Sequence, residues 1–215
     1  MSNEHLVVMG VAGCGKSTVA EELRNRLGWE FAEGDDFHPE ANIAKMSSGT
    51  PLTDEDRWPW LDLIAEWTAE QDAAGRSTIV TCSALRRVYR DRLRNAPGRT
   101  LFVHLVGSPE LLEHRLSSRS GHFMPPTLLP SQLATLEPLE SDEEGVALDI
   151  ARPVSDLAQS AIDQLHLATT RHELLGEELL RYERERGSID PVAIDAAEAE
   201  MYGEVHKGSG GVATV

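Results

Sequence analysis

The sequence predicts a doubly wound α/β fold, a five-stranded parallel sheet covered by helices on both faces. Three observations carry this. Short apolar runs recur along the chain, each followed by a stretch with helical spacing, which is the rhythm of successive βα units. The runs are apolar throughout rather than alternating, as strands buried on both faces must be. Finally, the first strand–helix junction is a glycine-rich turn, the place where such folds bind phosphate.

The elements follow in order. "HLVVM" (5–9) reads as the first strand. "KSTVAEELRNRLG" (16–28) places Val19, Ala20, Leu23 and Leu27 on one helical face and stops at Gly28. "WEFAEG" (29–34) is the second strand, and "WPWLDLIAEWTAEQDAAG" (58–75) an amphipathic helix closing at Gly75. "STIVTCSAL" (77–85) is rich in β-branched residues and reads as the third strand. "RRVYRDRLRNAPG" (86–98) is helical up to a Pro-Gly break. "TLFVHLVG" (100–107) is the fourth strand. "SPELLEHRLSSRSG" (108–121) begins a helix with Ser108 as N-cap and Pro109 in its first turn. "VALDIARPV" (146–154) is the last strand and "SDLAQSAIDQLHLATT" (155–170) its helix.

From about Arg171 the rhythm stops. "RHELLGEELLRYERERG" reads as a charged helix, "SIDPVAIDAAEAEMYGE" as a possible shorter one, and "HKGSGGVATV" as a flexible end. The expected organisation is one α/β domain over 1–168, with a lid at about 115–130, and a C-terminal helical extension and tail over 169–215.

The 215 residues carry a formal net charge of -16. An acidic surface argues against nucleic acid or an anionic membrane as partner, yet leaves room for a small anionic ligand held by local arginines. No run approaches membrane-spanning length, and the N-terminus lacks the basic region of a signal peptide. Two separated cysteines, Cys14 and Cys82, form no disulfide framework, so a cytoplasmic, reduced setting is expected.

Residues 10–17, "GVAGCGKS", match G-x-x-x-x-G-K-[ST] between a strand and a helix. Gly10, Gly13 and Gly15 let the backbone curl so that N–H groups, that of Cys14 among them, face phosphate oxygens. Lys16 supplies a mobile charge to the β- and γ-phosphates, and Ser17, backed by Thr18, a hydroxyl for Mg²⁺ arriving with ATP. Beyond the second strand comes "GDDFHPEANIAKM" (34–46). In a parallel sheet its acids share the rim of the phosphate loop. Asp35 leaves the strand first and is the better candidate to accept the proton of an attacking hydroxyl; Asp36 reads as a solvated or capping residue. Arg57 suits a carboxylate-bearing acceptor, or else a surface salt bridge with Asp54 or Glu55. Arg115 and Arg119, four apart, share a helix face next to His122. A lid carrying them would spread charge on the transferring phosphoryl group and exclude water. Arg152 and Pro153 lie where the loop after the last strand borders an adenine. The histidines and cysteines are not in zinc-ligand spacing.

"GDDFHPEANIAKM", "SGTPLTDEDRWPWL", "CSALRRVYRDRLR" and "RLSSRSGHFMP", in this order behind the phosphate loop, resemble the gluconokinase family over roughly residues 5–168. The resemblance implies a fold like that of nucleoside-monophosphate and shikimate kinases, transfer of phosphate from ATP to the 6-hydroxyl of D-gluconate, and a homodimer. It implies Gly13, Gly15, Lys16, Ser17 and Thr18 as the ATP and Mg²⁺ site and Asp35 facing the acceptor hydroxyl. His38, Lys45 and Arg57 would surround gluconate, with Arg86 and Arg90 as substrate- or phosphate-facing cations. Arg86 stands where relatives can have lysine. Two rivals stay open: a kinase of another small hydroxy acid such as shikimate, and a nucleotide-binding scaffold acting through the C-terminal helices.

Overall fold

The computed structural model describes residues 3–117 and 128–167. The expected C-terminal extension therefore lies outside the described residues, as do Arg119, His122 and most of the expected lid. Five strands, β1 (Glu4–Met9), β2 (Glu30–Glu33), β3 (Thr78–Cys82), β4 (Arg99–Val106) and β5 (Gly145–Asp149), form one sheet in the order β2-β3-β1-β4-β5. Every neighbouring pair is parallel. The order reverses beside β1, so all five carboxyl ends open onto one rim with a crevice there.

Side chains of the central strands β1, β3 and β4 alternate between two cores, the reason these strands read as largely apolar runs. Leu6 and Val8 of β1 and Leu101, Val103 and Leu105 of β4 face α1 (Lys16–Leu27) and α7 (Val154–Leu165). Val7, Met9 and Phe102 face the opposite layer, built on Trp60, Leu61 and Ile64 of α3 (Asp54–Ala73) and Tyr89 and Leu93 of α4 (Arg87–Leu93). Gly28 closes α1 in the left-handed conformation, as its sequence position predicts.

Two helices were not expected: α2 (Glu40–Ser47), and α6 (Leu129–Thr135), which follows α5 (Pro109–Ser117). α3 also begins earlier than its apolar pattern, at Asp54. Thr53 and Asp56 form a reciprocal capping box that nucleates the helix ahead of Pro59, which sits inside it. The last strand stops at Asp149, whose carboxylate accepts the Ala151 N–H and turns the chain.

Candidate active site

The phosphate loop joins β1 to α1. Gly10, Gly13 and Gly15 all have positive φ. At Gly10 the requirement is steric as well, since a Cβ there would lie 2.8 Å from both Cys14 Sγ and the Leu105 carbonyl oxygen. Among the described residues, the N–H groups of Gly13, Gly15 and Ser17 have no backbone acceptor, the pattern of a loop that offers donors to an anion. Lys16 Nζ donates to the carbonyls of Gly10 (3.1 Å) and Val11 (3.2 Å), so its charge lies against the loop. Ser17 and Thr18 are exposed in the first turn of α1.

Asp35 lies on a 3-10 turn (Gly34–Phe37) directly after β2. The seat of this turn is close-fitting. Gly34 N–H donates to Thr81 Oγ1 (3.1 Å), and Trp60 Nε1 donates to the Gly34 carbonyl (2.6 Å). A Cβ on Gly34 would stand 1.9 Å from the Thr81 carbonyl oxygen, so only glycine fits. Asp35 and Lys16 both act on the Cys82 thiol at the end of β3, the carboxylate raising its pKa and the ammonium lowering it. One sulfur therefore feels the loop lysine and the rim carboxylate together. Burial dominates and pushes that thiol up to about 12; burial likewise raises Cys14. Both cysteines stay protonated and buried, unsuited to redox chemistry.

Beside this rim is an open cavity of about 420 Å³. Arg57 and Arg86 supply its cations, Asp54 and Tyr89 its inner wall, and Ser131 and Gln132 of α6 the opposite side. The guanidiniums of Arg57 and Arg86 lie 5.4 and 5.5 Å from the centre of the Tyr89 ring. Arg86 donates to Asp54 (2.6 Å), and so does the Tyr89 hydroxyl (2.5 Å). These bonds, Tyr89 first, hold the Asp54 carboxyl below its usual range. Arg57 donates to the Leu52 carbonyl. A second cavity, about 270 Å³, lies on the other side of the loop between Gly15, Thr18, Arg115 and Arg152. Arg115 donates to the Ile150 carbonyl (2.8 Å), and Arg152 to Ser160 Oγ (2.9 Å). Pro153 caps α7 just behind.

The expected residues thus divide. The loop residues, Asp35, Arg57, Arg86, Arg115 and Arg152 lie at the rim or in its cavities. Arg90 does not. It is fully buried, forms a two-pronged pair with Glu143 (2.6 and 2.7 Å), and donates to the carbonyls of Ala84, Glu137 and Pro138. Its fork is consumed by protein acceptors, so the expectation of a substrate-facing cation is corrected to a structural clamp. Lys45 is bound to Asp56 (2.5 Å) and straps α2 to the start of α3. His38 is not an open ligand either. Its side chain is 3% exposed and stacks on Trp60 at 4.1 Å, behind Asp35. Burial, with Arg57 nearby, lowers its pKa to about 4, so the imidazole is neutral.

Asp54, Tyr89 and Gln132 escaped the reading of the sequence as site residues. Asp54 was visible only as a surface partner for Arg57. Tyr89 lies one turn before the end of α4 with the spacing of an ordinary core residue.

Known proteins resemble this chain in sequence and in fold. A family model described as an AAA domain matches residues 6–139. The gluconokinase of Gluconobacter oxydans is 57% identical over 138 residues, 64% of this chain and 78% of its own length. The crystal structure of an unliganded sugar kinase from a Janibacter species is 54% identical and superposes with a TM-score of 0.75, covering 77% of this chain and 96% of its own. A gluconokinase structure from Sinorhizobium meliloti 1021 gives 45% identity and a TM-score of 0.67, covering 77% and 93%. With the phosphate loop, the rim carboxylate and a cationic cavity on one sheet edge, and with these relatives, the chain belongs to the gluconokinase family of P-loop kinases.

Proposed function

We propose that this protein transfers the γ-phosphoryl group of ATP to the 6-hydroxyl of D-gluconate, giving 6-phospho-D-gluconate and ADP. The observation that carries the reading is the cavity with Arg57 and Arg86 beside the rim that holds both Lys16 and Asp35. Two guanidiniums suit a sugar acid whose carboxylate is anchored at one end while its terminal hydroxyl reaches the phosphate loop. Asp35, half-exposed on its turn, accepts the hydroxyl proton as the oxygen attacks the γ-phosphorus. The bond to the β–γ bridging oxygen breaks, and ADP leaves with that electron pair. Lys16 and Arg115 offset the charge that develops on the phosphates. Arg119 and His122 are assigned to the lid by family resemblance. The cavity at Thr18, Arg115 and Arg152 is assigned to the nucleoside, with Pro153 behind it.

Mg²⁺ fits the residues present. Ser17 is exposed in the first helical turn, and its hydroxyl makes no hydrogen bond among the described residues. With ATP bound, Ser17 would hold the ion against the phosphates, where it neutralises charge. No helix among the described residues is long and apolar enough to cross a membrane. A cytoplasmic homodimer completes the proposal on the strength of the resemblance, and light scattering on purified protein tests the dimer.

The decisive experiment is a substrate panel read by ADP release, with gluconate, shikimate and neutral sugars as acceptors. Gluconate should give the highest turnover, and phosphorus NMR should show a phosphomonoester on its terminal carbon. Gluconate reading no higher than the no-acceptor blank would overturn the assignment.

A further inference from the structure

Gln132 belongs to α6, an element of the acceptor-cavity wall, yet its side chain reaches the phosphate loop. Its Oε1 accepts the N–H of Ala12 at 2.6 Å. Only an acceptor can face that N–H, so chemistry fixes the orientation of the carboxamide. The N–H belongs to the Val11–Ala12 peptide. That peptide is trans, so its carbonyl points the opposite way. On the carbonyl side lie Lys16 Nζ (3.2 Å) and the Cys14 N–H (3.4 Å). One planar unit is thus held from behind by Gln132 and presents its front to the lysine. The N–H of the next residue, Gly13, has no backbone acceptor among the described residues.

From this we infer that Gln132 is a positioning residue for phosphoryl transfer. By holding the rear of the Val11–Ala12 peptide it aims the carbonyl that guides Lys16. The inference rests on the phosphoryl-transfer reading of the loop. The same side chain lines the acceptor cavity, so one residue ties the acceptor wall to the donor loop. A rotation of that peptide would swing the Val11 carbonyl away from Lys16 and hand the lysine a different path to the phosphates. Ala12 itself brings no polar side chain, and among the described residues the bond from α6 is the one that holds its N–H.

The test uses Gln132→Met, which keeps the length and removes the acceptor, in the native background and in Lys16→Met. Calorimetry with MgATP needs no acceptor sugar, so its outcome is independent of whether gluconate is the substrate. In the native background the substitution should weaken MgATP about fivefold. It should lower kcat about tenfold while changing the acceptor KM less than about twofold. In Lys16→Met it should change MgATP affinity by less than about twofold, because its effect runs through the lysine. Deuterium exchange should accelerate at Ala12 while β3 amides keep their native rates, which separates loop release from general unfolding. An equal loss of affinity in both backgrounds, or native exchange at Ala12, would overturn the inference.

Discussion

Replacing Arg90 with methionine separates two roles that the sequence leaves indistinguishable. The side chain is fully buried and donates to both oxygens of Glu143 and to three backbone carbonyls. Glu143 is buried as well; without Arg90 it keeps the Glu140 N–H (2.9 Å) and a distant Arg87 Nη1 (3.8 Å). Leaving a buried charge without its partner costs about 3–5 kcal/mol. Methionine fills much of the arginine volume, so little cavity cost is added. In a domain of this size each kcal/mol shifts Tm by roughly 2–4 °C, so Arg90→Met should lower Tm by roughly 10 °C. The double variant Arg90→Met/Glu143→Met removes the orphaned carboxylate and should recover about half the loss, the three carbonyls still lacking donors. The assay is thermal and urea unfolding, with gluconate KM measured well below the transition. Native Tm together with a KM raised tenfold or more would refute the clamp and restore Arg90 to the substrate pocket.

Asp35→Asn should reduce kcat about 10²–10⁴-fold with MgATP affinity nearly unchanged, measured by single-turnover ADP formation; turnover within about threefold of native would remove Asp35 from the chemistry. Gly34→Ala drives a methyl group into the Thr81 carbonyl and should cost about 1–3 kcal/mol or more and displace Asp35, seen as lower Tm and lower kcat together. His38 and His104 both have their pKa values lowered to about 4 by burial, against 6.5 for the free side chain. Between these values the unfolded chain binds more protons, so their stabilisation is present above about pH 6.5 and lost as pH falls toward 4. His104 Nε2 is buried without a hydrogen-bond partner among the described residues, so His104→Met should be neutral or stabilising by about 1 kcal/mol at pH 7 and should flatten the acid slope. An unchanged slope in urea unfolding from pH 7 to 5 would contradict this.

The sheet was legible because buried parallel strands have no polar side to hide, and the phosphate loop because its glycines are required by backbone geometry. α2 was not, because its buried face carries Asn42, which donates to the Asp56 carbonyl, beside Met46. Such a face reads as polar. α6 is a single short helix with a proline in its first turn. Arg86 and Arg90 look alike in sequence, one helical turn apart. What divides them is Glu143, 53 residues further on, and no local pattern reports a partner at that distance. Gln132 was illegible for the same reason, being 120 residues from the loop it touches.

α3 carries Arg57 near its beginning and Trp60 one turn later, where the indole pins the Gly34 carbonyl under the proposed base. A helix is stiff over so short a span, so Arg57 of the proposed acceptor wall and the indole that supports the turn of the proposed base ride on the same rod. Remodelling the pocket from this side to admit a bulkier sugar acid would drag the reacting group off its mark. Ser131 and Thr135, on the far wall, offer room to retune the preference while leaving that alignment alone.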